Sequence, residues 1–312
     1  MSLHQTIQVF EALDSAWASG QTIREIFSLF PEIEVAVTHL VGAKGDTDFV
    51  RITIPGRAGK RSGGQAPTLG IVGRLGGLGA RPACLGLVSD ADGAIAAVAT
   101  ALKLANMCER GDALAGDVIV TTHICPDAPT QPHEPVDFMD SPVEFEQIEA
   151  HEVMPEMDAV LSVDTTKGNR ILNHKGFAIS PTVKQGYILR VSEDLLRIME
   201  MATGRLPVTF PVTTQDITPY GNGVYHLNSI MQPSISTSAP VVGVAISTEA
   251  MVPGCGTGAS HEIDIASAVG FMTEVAKAFT QGGCRFHDPA EYGRLVELYG
   301  SLERLQQRRP VE

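Results

Sequence analysis

Three acidic or imidazole side chains each follow closely after an apolar, strand-like segment of this chain, namely Asp90, His123 and Asp164. In open α/β sheets, ligands bind beyond the carboxyl ends of the strands, so side chains at these ends gather in one place. Carboxylate oxygen and neutral imidazole both suit zinc or manganese, and a water bound to such a metal becomes a nucleophile near neutral pH. With His261 as a fourth ligand, these residues predict a single zinc or manganese site.

Each of these residues also has a purely structural interpretation, which the sequence leaves open. Asp164 precedes two threonines and suits the acceptor of an Asx turn. His123 could serve only to hydrogen-bond a loop, and His261 precedes a helical segment whose start it could cap. Asp92 opens a helical segment, so an N-cap role is favoured there over a ligand role. Asp90 suits capping less well, because one turn rarely needs two caps.

Several other polar or glycine-rich positions are weaker candidates for chemistry. Asp216 and His226 lie in a turn-rich loop, where solvated side chains are the default. The glycine run 73–79 could bind an anion through backbone N–H groups, but it lacks the GxGxxG spacing, so close backbone packing is favoured. Cys125 and Cys255 lie in loops and offer a cysteine nucleophile as a less favoured hypothesis.

The elements that would position these side chains alternate between strands and helices. A strand over 84–88, a helix over 94–108 and a strand over 117–122 predict a βαβ unit with parallel strands. Further strands are predicted over 34–40, 48–54, 68–72, 159–163, 207–211 and 241–246. Helices are predicted as a pair within 5–30 and over 192–203, 264–279 and 290–307, and a surface loop is predicted over 125–157. This alternation indicates an α/β fold, a three-layer sandwich with a central, mostly parallel or mixed sheet.

The composition argues against several classes of function. The chain has 312 residues and a net charge of −13, and such an acidic surface repels phosphate backbones, so no nucleic-acid partner is expected. No apolar run approaches the ~20 residues that cross a bilayer, and no signal peptide is evident at the start. The five scattered cysteines include no CxxC pair, which indicates reduced thiols. We therefore expect a cytoplasmic protein without a membrane partner, with a homo-oligomer left open.

Five long and unusual segments resemble the family numbered 1177 among the domains of unknown function. The segments are VSDADGA at 88–94, THICP at 122–126, SVDTTKGNR at 162–170, TQDITPYGNG at 214–223 and PGCGTGASHE at 253–262. The chain is identified as a member of this family over almost its whole length. The membership implies no established activity.

A more distant resemblance links residues 68–280 to zinc aminopeptidases of the glutamyl-aminopeptidase and aminoacylase type. In those enzymes an aspartate precedes a glycine-containing, alanine-rich helix, as Asp90 does here, and the resemblance implies that it bridges two metals. It likewise implies that Asp164 is a metal ligand. It also implies one compact aminopeptidase-like domain over 1–312, with N-terminal helices and without an inserted dimerisation domain.

The chain departs from the pattern of these enzymes at three positions. Gly-Arg-Leu at 73–75 stands where a His-x-Asp element is expected, and Ile-Cys-Pro at 124–126 stands where two glutamates are expected. The position of the late histidine falls near Val252, so His261 is displaced. Only two of the usual ligands are therefore in place.

Two hypotheses follow. The first is a metal-dependent hydrolase of a small peptide or amide, with a variant zinc or manganese site. The second is a metal-free protein that binds a small molecule, a short peptide or a partner protein, in which Arg74 could hold a carboxylate as a bidentate partner. The metal candidates are Asp90, His123, Asp164 and His261, and the candidates for ligand binding are Arg74, Asp92, Asp216 and His226.

Overall fold

The computed structural model describes residues 2–74, 76–252, 255–258 and 260–307. Within these ranges the α-helices are α1 (Leu3–Leu13), α2 (Gly20–Phe27), α3 (Asp92–Glu109), α4 (Phe145–Glu152), α5 (Glu193–Thr203), α6 (Glu262–Thr280) and α7 (Pro289–Tyr299). The strands are β1 (Glu34–Gly42), β2 (Gly45–Ile54), β3 (Leu69–Gly73), β4 (Val118–Ile124), β5 (Thr130–Gln131), β6 (Phe138–Met139), β7 (Ala159–Thr165), β8 (Gly176–Ile179), β9 (Val183–Lys184), β10 (Tyr187–Ile188) and β11 (Val241–Ser247).

Nine of these strands form one mixed sheet in the order β1-β2-β4-β3-β7-β11-β9-β10, with β8 paired to β11. Strand β3 runs parallel to both β4 and β7, and β7 runs parallel to β11. The antiparallel hairpin of β1 and β2 joins the sheet through β4. Because the four central strands are parallel, their carboxyl ends open on the same edge of the sheet.

The central sheet is packed between two layers. On one face, α1, α3, α5 and α6 share a core with apolar residues of the central strands, such as Ile71, Val120 and Leu161. The other face is covered by the 3₁₀ segment Ser229–Ile235 and by Phe210, which pack in a second apolar cluster. The predicted α/β architecture, with a mixed sheet between flanking layers, is confirmed.

One predicted strand, over 84–88, is wrong. This segment forms turns, with Leu85 87% exposed and Gly86 at a φ of +78°, a left-handed conformation that an extended strand cannot contain. The strand that begins the βαβ unit is instead β3, which pairs in parallel with β4 after the chain passes through α3. The unit itself is therefore present, with its first strand earlier in the chain.

Two further segments differ from the sequence-based expectation. The predicted strand over 207–211 contributes only one bridge, between Thr209 and Ile179. The predicted surface loop over 125–157 contains α4, whose last residue, Glu152, is buried. Among the described residues, no helix has the length and apolar character that a membrane span requires.

Candidate functional site

A cleft of about 710 Å³ opens beyond the carboxyl ends of β7 and β11. Two buried carboxyl groups, those of Asp90 and Asp164, line it together with polar residues of the loop that follows β7. The remaining wall is largely apolar and includes Phe138, Ile171, Leu172, Phe210, Leu227, Ile230 and Met251. A concave, mostly apolar site with a few converging polar groups is the usual form of a small-molecule site.

Asp164 occupies the end of β7, and only 1% of it is exposed. One carboxylate oxygen accepts the N–H of Thr165 at 2.7 Å, and the other accepts the hydroxyl of Ser229 at 2.9 Å. Burial raises the pKa of Asp164 to about 6, although the nearby Arg74 guanidinium opposes the shift. Asp164 thus titrates closer to neutral pH than an ordinary aspartate.

Asp90 lies in the 3₁₀ turn Ser89–Ala91, which precedes α3. It is 2% exposed, and its Oδ1 atom has no hydrogen-bond partner among the described residues. Burial, reinforced by the charge of Asp164, raises the pKa of Asp90 well above its usual range. Two carboxyl groups that repel one another in this way titrate as a coupled pair.

Cys255 lines the cleft together with Asp90 and Asp164. Its carbonyl oxygen accepts the backbone N–H of Asp90 at 3.1 Å and the hydroxyl of Ser89 at 2.9 Å. Burial and the neighbouring Asp90 raise the pKa of the Cys255 thiol, and burial raises that of Cys125 to about 12. Because the nucleophile of a cysteine enzyme is the thiolate, neither thiol has the environment that such an enzyme needs.

His123, predicted as a metal ligand, has both ring nitrogens engaged within the protein. Its Nε2 accepts the backbone N–H of Gly76 at 3.0 Å, and its Nδ1 lies 3.0 Å from the Thr47 hydroxyl. That hydroxyl donates to the carbonyl oxygen of Ile124, so Nδ1 carries the proton. Burial lowers the pKa of His123 to about 4, so the ring is neutral. In this structure His123 has the environment of a buried structural histidine, and its role as a metal ligand stays a prediction.

His261 is exposed at the start of α6, its side chain makes no cap hydrogen bond, and it is not part of the cleft wall. Of the four predicted metal ligands, the structure therefore brings only Asp90 and Asp164 to one cleft. The described part of the chain contains no group of three or more histidine, cysteine, aspartate or glutamate side chains that could hold a metal ion. A catalytic zinc site normally uses three protein ligands, so the residues described do not fit such a metal.

Asp92 binds the loop that follows β7 and does not face the ligand space of the cleft. Its Oδ2 accepts the Lys167 ammonium at 2.8 Å, and its Oδ1 accepts the Ser260 hydroxyl at 2.5 Å. Lys167 adopts a φ of +25°, an unusual backbone conformation for a non-glycine residue. This buried ion pair holds the Lys167 loop against the start of α3. The N-cap of α3 is Ala91, so the N-cap interpretation of Asp92 is wrong, and its ligand contact stays a prediction.

Arg74 does bind a carboxylate, but that carboxylate belongs to the protein. Its Nη1 donates to Glu152 at the end of α4, and both side chains are almost fully buried. The binding of an external carboxylate by Arg74 stays a prediction. Leu75, the last residue of the Gly-Arg-Leu segment at 73–75, lies outside the described residues. So do Pro253, Gly254 and Ala259 of the segment at 253–262.

Asp216 and His226 organise the loop beside the cleft and are not part of its wall. Asp216 is fully buried and accepts five hydrogen bonds, from the backbone and side chains of Thr213 and Asn228 and from the backbone of Leu227. The His226 ring packs against Tyr220 at a centroid distance of 4.4 Å. These hydrogen bonds occupy the lone pairs of the Asp216 carboxylate and give it a structural role in this loop. Ligand binding by Asp216 and His226 stays a prediction.

Gly76, in the glycine run 73–79, and Gly93, at the start of α3, permit close backbone packing. For the glycine run this is the interpretation that the sequence favoured. A Cβ atom at Gly76 would overlap the carbonyl oxygen of His123. A Cβ atom at Gly93 would lie 2.6 Å from the carbonyl oxygen of Val163 and 2.7 Å from that of Arg74. Glycine at position 93 therefore allows the start of α3 to reach the ends of β3 and β7, which brings Asp90 toward Asp164.

Sequence reasoning missed three residues of the site: Glu152, Lys167 and Ser229. Lys167 carried a usable signal, because it follows Asp164 by three residues in a segment that the family resemblance had already marked. Glu152 lay in an acidic, proline-containing region that predicts a loop. Ser229 carried no signal, because it lies 65 residues after Asp164 in the sequence and the fold alone brings the two side chains together.

The fold is similar to that of several solved structures of low sequence identity. A glutaminyl cyclase from an Acidobacteriales bacterium matches with a TM-score of 0.51 and 13% identity, over 90% of this chain and 94% of that chain. A mutant of tomato leucine aminopeptidase has a TM-score of 0.49 and 11% identity, over 87% of this chain and 61% of that one. The leucyl aminopeptidase of Trypanosoma cruzi also scores 0.49, with 14% identity over 81% and 57%.

The similarity to the cyclase extends over nearly the full length of both chains and shows a shared fold only. No curated protein matches the chain in sequence. A family described as "Protein of unknown function (DUF1177)" matches residues 38–309, which confirms the membership indicated by the five sequence segments. The chain therefore belongs to the DUF1177 family.

Proposed function

We propose that the cleft binds a small molecule or short peptide through an amino or amide group, and that Asp90 and Asp164 recognise this group. The observation that carries the proposal is the presence of two buried carboxyl groups with raised pKa values on one cleft of about 710 Å³. Perturbed titratable groups in a cleft are a recognised sign of a functional site.

The charge of the pair favours a ligand that donates hydrogen bonds. Oδ1 of Asp90 has no donor among the described residues, and the burial of both carboxyl groups disfavours their ionised forms. A ligand N–H or ammonium group would supply the missing donor and offset the negative charge. An anionic group placed against the pair would be repelled.

The rest of the wall favours an apolar side chain on the same ligand. Phe210, Leu227 and Ile230 line the same cleft as Asp164, and Ser229, which donates to Asp164, is next to Ile230 in the chain. Apolar surface gains about 25 cal/mol per Å² when it leaves water, so this wall supplies affinity while the carboxyl pair supplies orientation. Amides of apolar amino acids and short apolar peptides combine both features.

A zinc- or manganese-dependent hydrolase, the first hypothesis from the sequence, is not the function that the donor set supports best. His123 has no free ring nitrogen and His261 is not part of the cleft wall, so of the four predicted ligands only Asp90 and Asp164 are left at the cleft. Two carboxylates alone would hold a transition metal weakly. We therefore propose a function that needs no resident metal ion.

Hydrolysis of a small amide by the carboxyl pair is a second candidate, favoured by the difference between its two members. Asp164, with a pKa of about 6, can accept a proton from water, and Asp90, the weaker acid, can donate its proton to the departing nitrogen. The water oxygen bonds to the amide carbon, and the C–N bond breaks to give an acid and an amine.

Titration calorimetry with leucinamide, N-acetyl-leucinamide and leucylglycine would test the proposed function. Wild-type protein should bind leucinamide, and Asp164→Asn should weaken binding by at least about ten-fold, because the variant loses a charge-assisted contact. Asp112→Asn is the matched control, since Asp112 is exposed beyond the far end of α3. Equal affinity in Asp164→Asn and wild type would contradict the proposal, and release of ammonia from leucinamide would identify the hydrolase.

A further inference from the structure

We propose that Arg170 binds the C-terminal carboxylate of a short peptide whose amino group lies at Asp90 and Asp164. The inference rests on the proposed function, because it concerns the same cleft, and it narrows the ligand class to short peptides with both termini free. The cleft then recognises the charges at the two ends of the peptide together with an apolar side chain.

The cleft wall carries two positively charged side chains, those of Lys167 and Arg170. The Lys167 ammonium is held by Asp92 at 2.8 Å, and both side chains of this ion pair are buried. Arg170 is exposed, and its guanidinium makes no ion pair or hydrogen bond with another described residue. Of the two cations, Arg170 is therefore the one that can meet a ligand.

The backbone around Arg170 is fixed, although its side chain is exposed. The side-chain oxygen of Asn169 accepts the N–H of Ile171 at 2.8 Å and that of Leu172 at 2.9 Å. The N–H of Asn169 donates to the carbonyl oxygen of Leu172 at 2.7 Å, and Leu172 is buried. These contacts close a turn around Arg170 in the wall of the cleft, so little backbone ordering is needed when the guanidinium binds a ligand.

The charges of the wall suit a ligand that carries one charge of each sign. Asp90 and Asp164 attract an amino group, whereas the guanidinium of Arg170 suits a carboxylate, which it can bind through two parallel N–H groups. The amide of a single amino acid leaves Arg170 without a partner. A ligand that has both an amino group and a carboxylate satisfies both kinds of charge.

The carboxylate is assigned to the C-terminus of the peptide because most of the remaining wall is apolar. Phe210, Leu227 and Ile230 suit an apolar side chain, which brings no charge of its own. A peptide advances by about 3.3–3.6 Å per residue, so a dipeptide and a tripeptide carry their carboxylates at different distances from the amino group. A cleft of about 710 Å³ lies in the usual range of small-molecule sites.

Titration calorimetry on the full chain tests this inference with leucylglycine, leucylglycylglycine and the C-terminal amide of each peptide. In wild type, at least one free acid should bind at least about three-fold more tightly than its own amide, since an exposed ion pair contributes modestly. Arg170→Gln removes the charge and should bring this ratio to about one. Arg110→Gln is the matched control, because Arg110 is exposed at the far end of α3, and it should keep the ratio of wild type.

The preference for the free acid should also shrink in wild type as the ionic strength rises, because salt screens exposed charges. This measurement needs no variant. Arg170→Lys retains the charge but not the two parallel N–H groups, so it should keep only part of the preference.

The inference is overturned if neither free acid binds wild type more tightly than its amide, or if Arg170→Gln keeps the preference. It is also overturned if the affinity for glutamic acid α-amide, whose only carboxylate is in its side chain, depends on Arg170 and the affinity for the peptides does not. Leucinamide, which has no carboxylate, separates this failure from failure of the proposed function. If leucinamide binds wild type more tightly than Asp164→Asn and neither free acid is preferred, only the role of Arg170 is refuted.

Discussion

Asparagine in place of Asp164 should make the ligand-free protein more stable near neutral pH, although it removes a group that we assign to ligand recognition. Burial raises the pKa of Asp164 in the folded protein to about 6, from an ordinary value of 3.8. Between these pH values the folded state binds more protons than the unfolded state does. The contribution of Asp164 to stability is therefore largest below about pH 4 and is lost as the pH rises to about 6.

The shift corresponds to about 3 kcal/mol of unfolding free energy, because each pKa unit represents about 1.4 kcal/mol. Asparagine carries no charge and so avoids this penalty. Its carbonyl oxygen can still accept the Thr165 N–H, and its amide can donate to the Ser229 oxygen. The variant should gain up to about 3 kcal/mol at about pH 8 and almost nothing at about pH 4.

Urea denaturation of wild type and Asp164→Asn across this pH range measures the effect. Asp216→Asn is the informative control, because Asp216 is equally buried but accepts three backbone N–H groups, those of Thr213, Leu227 and Asn228. The NH₂ group of an asparagine at this position would face backbone N–H groups, which are also donors, so Asp216→Asn should lower the unfolding free energy. If Asp164→Asn is less stable than wild type at about pH 8, or if its advantage does not depend on pH, our account of Asp164 is refuted.

Three further predictions concern the residues around the cleft. Lys167→Met should lower the unfolding free energy, measured by urea denaturation, by about 3–5 kcal/mol, because it leaves Asp92 buried without its cation. The double variant Lys167→Met/Asp92→Asn should recover part of this loss. Cys255 should react with iodoacetamide more slowly than a free cysteine does at about pH 8, as followed by peptide mass spectrometry, since its thiol pKa is raised; an equal rate would contradict this environment. His123→Ala should lower stability by about 1–3 kcal/mol, because it leaves the Gly76 N–H without its acceptor, and it should not change the metal content of the protein.

The sequence predicted the sheet and the two carboxyl groups because their signals are local. Apolar segments of four to eight residues marked β3, β4, β7 and β11, and Asp164 was predicted at the end of a strand that is present, β7. Asp90 was predicted at the end of a strand over 84–88 that the structure does not contain, and it lies instead in the 3₁₀ turn Ser89–Ala91. The error at 84–88 had a local cause as well. Short apolar runs predict buried strands, but this one contains Gly86 in a left-handed conformation and an exposed Leu85.

Which polar groups already have hydrogen-bond or ion-pair partners within the protein could not be predicted, because those partners lie far away in the chain. His123 looks like a metal ligand until Thr47 and Gly76 are placed beside its two nitrogens. Arg74 looks available until Glu152 reaches it across 78 residues of sequence separation. Residue types therefore predicted that polar side chains lie together at this edge of the sheet. Which of these side chains are free to contact a ligand depends on the packing of segments that are distant in the sequence.

Titration calorimetry of leucinamide into wild-type protein that has been treated with a chelator and freed of metal tests the central claim most directly. We expect leucinamide to bind with the same affinity before and after chelation, and Asp164→Asn to bind it at least about ten-fold more weakly. Binding that disappears on chelation and returns with zinc or manganese would contradict a metal-free carboxyl site.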